Sequence, residues 1–126
     1  MFRTEGIDHV ALAVRDVRSS ARWYAEVLGL QRLHEDVWGD HPAIVGNGTT
    51  AVALFPIEGE PKPRPDRAAI SMRHLAFRAD RANFSAAKAA LSERGIDFTE
   101  QHHGICESFY FFDPDGHELE ITTYEL

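Results

Sequence analysis

Apolar and polar positions recur along this chain in a way that predicts two helices, each preceded by one short strand and followed by three. The first helix is expected over about 17–28, because apolar residues recur there at helical spacing: Val17, Ala21, Tyr24 and Leu28. The second is expected over about 82–94, with apolar residues at Phe84, Ala87 and Leu91. Aspartates at positions 16 and 80 are placed to cap the two helices at their N-termini.

Runs typical of strands follow each helix and are separated by turns rich in glycine, asparagine and aspartate. In the first half these runs cover about 31–37, 42–45 and 50–56, and in the second half about 97–101, 108–112 and 117–124. The segment Asp-Pro-Asp-Gly at 113–116 is a strong signal for a hairpin turn. Each half therefore follows the order β-α-β-β-β.

The two halves also share the beginning of their first strand, which makes the chain an internal duplication. His9 and His74 stand early in corresponding apolar runs, 65 positions apart, and an aspartate follows each run. We expect an α+β fold made of two βαβββ modules at about 5–57 and 70–125, joined by a surface linker at 58–69 that contains three prolines. Since a lone four-stranded sheet leaves one face unburied, the modules should associate as a single domain spanning 1–126.

Composition narrows the functional classes. The chain has 126 residues and a formal net charge of −7, which argues against a nucleic-acid partner because such proteins carry basic patches. Cys106 is the one cysteine, so an internal disulfide is impossible, and this suits a reducing cytoplasm. The N-terminus lacks the apolar run of a signal peptide, and no segment is long and apolar enough for a membrane span. We therefore expect a cytoplasmic protein without a membrane partner.

Three residues are candidate ligands of one divalent metal ion: His9, His74 and Glu120. Repeat symmetry predicts equivalent places for the two histidines, and Glu120 lies on the last strand of the second half. Side chains alternate along a strand, so Glu118 and Glu120 share one face. Two histidines and one carboxylate leave coordination positions open, as in non-haem Fe(II) oxygenases, although Zn²⁺, Mn²⁺ and Ni²⁺ are also compatible.

Four motifs give the chain a resemblance to the vicinal oxygen chelate superfamily, which includes glyoxalase I, bleomycin-resistance proteins, fosfomycin-resistance enzymes and extradiol dioxygenases. They are Ile-Asp-His-Val at 7–10, Trp-Tyr-Ala-Glu-Val-Leu-Gly-Leu at 23–30, Arg-His-Leu-Ala-Phe at 73–77 and Phe-Asp-Pro-Asp-Gly-His-Glu-Leu-Glu at 112–120. The resemblance covers essentially the whole chain. It implies a mixed sheet curled around a metal held by His9, His74 and Glu120, a small-molecule substrate chelated through vicinal oxygens, and a homodimer.

Within that superfamily the extradiol dioxygenases resemble this chain best. Their pattern of His, Tyr, Asp-Pro-x-Gly and Glu corresponds here to His103, Tyr110, the turn at 113–116 and Glu120. The resemblance implies that His103 is an acid/base, that Tyr110 bonds a substrate hydroxyl, and that the metal is Fe(II).

Two enzyme classes and one binding function remain as alternatives. A glyoxalase-like lyase usually takes a fourth ligand from the strand matching 51–55, which offers none here. A fosfomycin-type thiol transferase often has basic residues after the last ligand, and none follows Glu120. A drug-sequestering protein of the bleomycin-resistance kind needs only an apolar groove. His34, Trp38 and His41 are interpreted either as specificity residues of the substrate pocket or as parts of a solvated loop, and the sequence assigns no role to Cys106.

Overall fold

The computed structural model describes residues 1–126, which divide into two compact units, Met1–Lys62 and Pro63–Leu126. The boundary falls inside the predicted proline-containing linker. The first unit contains β1 (Val10–Val14), α1 (Val17–Leu28), β2 (Gln31–Leu33), α2 (Glu35–Trp38), β3 (Ala43–Asn47) and β4 (Thr50–Pro56). The second contains β5 (Leu75–Arg78), α3 (Arg81–Glu93), β6 (Thr99–His102), β7 (Glu107–Phe112) and β8 (Glu118–Thr123). The predicted α+β class with two βαβββ modules is confirmed.

Each unit forms its own four-stranded mixed sheet with the same topology. The strand order is β1-β4-β3-β2 in the first sheet and β5-β8-β7-β6 in the second. In each sheet the outer pair that includes the first strand is parallel, and the other pairs are antiparallel. The internal repeat seen in the sequence is therefore a repeat of topology as well.

Both long helices begin directly after the aspartates that were predicted to cap them, Asp16 and Asp80. The side chain of Asp16 accepts a hydrogen bond from Ser19 N, and the side chain of Asp80 accepts one from Asn83 N. Each contact satisfies a backbone N–H that the first helical turn leaves without a partner. At the other end of α1, Gly29 adopts a left-handed conformation with φ 69°, which glycine does at little cost.

The predicted strand over 31–37 is wrong beyond Leu33. His34 has φ 58° and ψ 27°, a left-handed conformation that ends the strand, and α2 follows directly. Acidic residues at 35 and 36 occupy the first turn of α2, where the helix dipole favours negative charge. The run at 31–37 is therefore a short strand followed by one turn of helix.

A helix covers one face of each sheet and leaves the other face to a different set of residues. In the second unit the ring of Phe84 on α3 meets the ring of Phe109 on β7, with centroids 5.0 Å apart. Phe109 pairs with Ile121, and both are buried. Full burial of an aromatic or aliphatic side chain of this size contributes about 1.5–3 kcal/mol. Because side chains alternate, the face away from α3 carries the intervening residues of β7 and β8, including Tyr110 and Glu120.

The two sheets differ at one register position on that face. In the first sheet Ala11 of β1 pairs with Ala53 of β4, and in the second Ala76 of β5 pairs with Glu120 of β8. His9 and His74 each stand two residues before these alanines. Ala53 therefore occupies in the first half the position that Glu120 occupies in the second. None of the helices is long and apolar enough to cross a membrane.

Candidate active site

Glu120 is a buried carboxylate, 7% exposed, on the face of the second sheet opposite α3. Its Oε2 accepts a hydrogen bond of 2.6 Å from the Ser108 hydroxyl on β7. Its Oε1 lies 2.9 Å from Nε2 of His74. A buried carboxylate is costly unless its oxygens find donors or a cation. The two contacts thus account for both oxygens and tie β8 to β7 and to the residue before β5.

His74 lies one residue before β5 rather than within it, at a place where its ring reaches across to β8 and β7. Its ring meets the ring of Tyr110 edge to face, with centroids 5.6 Å apart. The second ring nitrogen, Nδ1, faces Oε1 of Glu118 at 3.7 Å, which is longer than a hydrogen bond. The imidazole is therefore placed between two carboxylates, with Glu120 the nearer.

The pair formed by His74 and Glu120 fits two adjacent ligands of one metal ion. Metal–nitrogen and metal–oxygen bonds of about 2.1 Å at a right angle put the two ligand atoms about 3.0 Å apart. The observed separation of His74 Nε2 and Glu120 Oε1 is 2.9 Å. Imidazole and carboxylate also form the donor set that Zn²⁺ and Fe(II) accept. No group of three His, Cys, Asp or Glu side chains is arranged to hold a metal ion.

Tyr110 and His103 form a hydrogen-bonded pair beside these candidate ligands. Nε2 of His103 lies 2.9 Å from the Tyr110 hydroxyl, and the two rings are perpendicular. Tyr110 sits on β7 directly opposite Glu120 on β8. His103 follows the end of β6, in the short loop before β7, and its backbone N–H bonds Cys106 O at 2.8 Å. The sequence-predicted pair is thus brought together with His74 and Glu120.

The pKa of the Tyr110 hydroxyl is raised above its ordinary value of 10.0. Burial is the largest cause, and the negative charge of Glu120 is the next. Both favour the neutral phenol over the phenolate. Tyr110 therefore remains a hydrogen-bond donor across the neutral pH range.

The turn at 113–116 joins the antiparallel strands β7 and β8, as the hairpin motif Asp-Pro-Asp-Gly predicted. The carboxylate of Asp113 accepts hydrogen bonds from the backbone N–H groups of Asp115 and His117, each 2.9 Å long. Gly116 adopts φ 88°, in the left-handed region that favours glycine. The loop is closed before Glu118, so the register that sets Glu120 opposite Tyr110 is fixed by local contacts.

His9 lies in the first unit, one residue before β1 and half-exposed. Its Nδ1 is 2.8 Å from the carboxylate of Asp8, which leaves Nε2 available to a ligand. Hydrogen bonding of one ring nitrogen to a carboxylate is the usual way in which a metal-binding histidine is oriented. His9 also lines a cavity of about 540 Å³ in this unit, with Trp38 on its wall.

β4 itself carries no carboxylate on the face that corresponds to the one with Glu118 and Glu120. Ala51 and Ala53 occupy the positions that match Glu118 and Glu120, as the register shows.

Two residues of the site escaped the sequence reasoning. Ser108 donates a hydrogen bond to Glu120. In the sequence, the available indication was that Ser108 lies two residues before Tyr110 and therefore on the same face of β7. Asp8 bonds His9, and it is simply the residue before it. Of the lower-ranked candidates, His34 meets Trp38 edge to face at 5.3 Å, and Cys106 is a buried free thiol.

Comparison with known proteins places this geometry in a family. The Glyoxalase/Bleomycin resistance protein/Dioxygenase superfamily matches residues 6–121. The chain is 32% identical over 122 residues to the glutathione transferase FosA of Serratia marcescens, covering 97% of this chain and 83% of that one. It is 27% identical over 117 residues to the catechol-2,3-dioxygenase of Bacillus subtilis, covering 91% of this chain but only 40% of the dioxygenase.

Solved structures carry the same fold over nearly the whole chain. A glyoxylase/bleomycin resistance protein/dioxygenase domain from Frankia aligns with a TM-score of 0.80 at 26% identity, covering 98% of this chain and 94% of that one. A glyoxalase/dioxygenase from Nostoc punctiforme aligns with a TM-score of 0.78 at 28% identity, covering 97% and 92%. With the family match over residues 6–121, these likenesses show that the chain belongs to the glyoxalase/bleomycin resistance protein/dioxygenase superfamily.

Proposed function

We propose that this protein is a metal-dependent enzyme that acts on a small molecule chelated through two vicinal oxygens, and that its reaction is extradiol cleavage of a catechol. His74 and Glu120 supply two ligands, and His9 supplies the third. Fe(II) is the favoured metal, with Mn²⁺, Zn²⁺ and Ni²⁺ as compatible ions. The reaction inserts both atoms of O₂ into the ring-opened product, so the atoms balance without an external reductant.

One observation carries this proposal: the hydrogen-bonded pair of His103 and Tyr110 lies against His74. The 2.9 Å contact between His103 Nε2 and the Tyr110 hydroxyl is within reach of proton transfer. The Tyr110 ring packs on the His74 ring, so a molecule held beside His74 meets the phenol. An acid/base group and a hydroxyl donor beside a candidate ligand pair are the parts that oxygenation of a diol requires.

The roles of these residues follow from their atoms. A bound divalent metal acts as a Lewis acid and stabilises negative charge on chelated oxygens. Tyr110, whose pKa is raised, stays protonated and donates its hydrogen bond to one substrate oxygen. His103, hydrogen-bonded to Tyr110, is the acid/base that receives or returns the proton of the substrate. Ser108 holds the Glu120 carboxylate in place through its 2.6 Å bond.

Thiol transfer is the second candidate, and the relatives favour it. The glutathione transferase FosA matches this chain over 83% of its own length, whereas the catechol dioxygenase is matched over only 40%. The metallothiol transferase FosB of Staphylococcus epidermidis is matched over 82% of its length at 28% identity. One feature of the sequence argues against thiol transfer: no Lys or Arg follows Glu120 to hold an anionic substrate. A glyoxalase-like lyase and a drug-sequestering protein remain further alternatives.

The test begins with the metal content of protein purified without added metal or chelator. Oxygen uptake is then measured with catechols, and thiol consumption with glutathione and an electrophilic substrate. We expect one equivalent of divalent metal, oxygen uptake with catechols, and no thiol consumption. His74→Ala should lose the metal and the activity while remaining folded by circular dichroism. Full metal content in His74→Ala would contradict the ligand assignment, and thiol consumption without oxygen uptake would contradict ring cleavage.

A further inference from the structure

The cavity beside His9 carries an inference about substrate class, and this inference rests on the proposed function. We propose that the cavity binds an aromatic arm of a neutral or cationic substrate against Trp38 and discriminates against anionic substrates. The cavity measures about 540 Å³ and lies wholly within the first unit. Small-molecule sites of this size are concave and mostly apolar, with a few polar groups that orient the ligand.

The wall of the cavity is built for a flat apolar group. Trp38 remains 48% exposed although it is a large hydrophobic residue, and Leu33 and Ile44 line the cavity with it. Leu33 of β2 and Ile44 of β3 are partners in the sheet register, so they present adjacent side chains on the face that the cavity occupies. An exposed indole above an aliphatic floor gains area and ring stacking when an aromatic ring enters.

Trp38 is held in position before any ligand arrives. Its ring is contacted edge to face by His34, the one non-glycine residue with positive φ. Arg32 of β2 donates hydrogen bonds to two acceptors just after α2, the Gly39 carbonyl oxygen and the Asp40 carboxylate, each at 3.0 Å. These contacts fix the C-terminal end of α2 to β2. A wall that is already ordered loses little conformational entropy on binding.

The charges at the cavity set the preferred ligand charge. Glu5, Asp8 and His9 line it, whereas no lysine or arginine does. The diol of the substrate would occupy the metal proposed at His9, so a carboxylate or phosphonate on the arm would meet two carboxylates and no lysine or arginine. Like charges brought together disfavour binding. A neutral or cationic arm meets no such penalty.

The experiment compares three ligands with the same diol and different arms. They are 4-phenylcatechol (neutral), dopamine (cationic) and 3,4-dihydroxyphenylacetate (anionic). Dissociation constants are measured by titration calorimetry on the Zn²⁺-loaded protein, which does not turn the ligands over. We expect the anionic ligand to bind at least about tenfold more weakly than either of the others. Glu5→Gln should reduce that difference, because it removes one of the two carboxylates.

Substitution of the wall tests the aromatic contact. Trp38→Ala should weaken 4-phenylcatechol about tenfold and leave unsubstituted catechol within about twofold, because only the arm touches the indole. Val37→Ala, on the same helix but not on the cavity wall, is the matched control and should change neither. Equal binding of 4-phenylcatechol by wild type and Trp38→Ala would overturn the inference, as would equal binding of all three charge types.

A fourth ligand separates this inference from the proposed function. 4-Hydroxybiphenyl has the aromatic arm but no vicinal diol, so its binding does not depend on chelation. If it binds wild type and loses affinity in Trp38→Ala, the aromatic site stands even when oxygen uptake with catechols is absent. If oxygen uptake is present but Trp38→Ala binds 4-hydroxybiphenyl and 4-phenylcatechol as tightly as wild type does, the proposed reaction is supported and the aromatic site is contradicted.

Discussion

The two carboxylate oxygens of Glu120 contact different residues, one a proposed metal ligand and the other a residue that positions the carboxylate. His74 approaches Oε1 as a fellow ligand would, and Ser108 binds Oε2 from the neighbouring strand. Loss of the serine frees the carboxylate to rotate without removing a proposed ligand. The repeat and the motif at 112–120 were enough to predict the pairing of His74 with Glu120. They did not reveal Ser108, because a serine on a strand has no spacing that distinguishes a support from a surface residue.

Substitution of Ser108 tests this supporting role. Ser108→Ala should weaken metal binding by about 10–100-fold, the usual effect of removing a partner that orients a ligand. Affinity is measured by competition with a chromophoric chelator. Ser92→Ala, on the exposed side of α3, is the matched control and should bind metal as wild type does. Unchanged affinity in Ser108→Ala would show that Glu120 is held by other contacts.

The pair of His103 and Tyr110 is predicted to act in chemistry and not in metal binding. His103→Ala and Tyr110→Phe should each keep their metal and lose about 10²-fold or more in turnover, the usual weight of a general acid/base. Steady-state oxygen uptake gives the turnover, and a limb of the pH–rate profile should disappear in His103→Ala. Unchanged turnover in both variants would remove the main support for ring cleavage and move thiol transfer ahead.

Elements were predicted well where periodicity was long and poorly where it was short. The bounds 17–28 and 50–56 agree with α1 and β4, because a dozen helical residues or a clear apolar strand leave little ambiguity. The run at 31–37 failed because a left-handed His34 and a one-turn helix have almost no periodic signal. Trp38 ends this helix, so the sequence named it as a candidate pocket residue but did not predict the structure that positions it.

The segment after α2 contains a charge cluster whose effect depends on pH. Burial alone would raise the pKa of Asp40, but hydrogen bonds and charge from Arg32 and Arg18 outweigh it, and the net pKa lies below its usual value of 3.8. A carboxyl with a lowered folded-state pKa stabilises the fold above its unfolded-state pKa, and this contribution disappears as the pH falls through the lower folded-state value. The cluster should therefore anchor α2 at neutral pH and release it in acid.

Asp40→Asn tests that expectation. At pH 7 the variant should have a lower free energy of unfolding than wild type, and the difference should shrink below about pH 3.8. Urea denaturation followed by far-UV circular dichroism at both pH values measures it. Asp97→Asn, which removes an exposed carboxylate outside the helices and the cluster, serves as the control. A difference that persists unchanged in acid would mean that Asp40 acts through packing and not through charge.

At the scale of the whole molecule, the duplication and the lack of a ligand at 51–55 were predictable from the sequence, whereas the exact pairing of the strands was not. Matching histidines and helix caps revealed two βαβββ modules, because periodicity and capping are local properties of the sequence. Alternation of apolar residues does not determine the strand register. The structure was therefore needed to show that Ala11 pairs with Ala53 and that Ala76 pairs with Glu120. The register shows that Ala53 of the first half stands where Glu120 stands in the second.

We expect the protein to be a homodimer, as the resemblance to its superfamily implied. Each sheet has two edge strands, β1 and β2 in the first and β5 and β6 in the second, and an unpaired edge strand can pair with another chain. Light scattering coupled to size-exclusion chromatography should give twice the chain mass of 14.2 kDa. A monomer mass at micromolar concentration would contradict the expectation.

The equivalence of Ala53 and Glu120 has an evolutionary consequence. A duplicated gene begins with two identical copies, so the halves must since have diverged at this position. By register, Ala53→Glu would give the first half a histidine and a carboxylate in the relation that His74 and Glu120 have now. A substitution at one codon would therefore make the two halves alike at this register position.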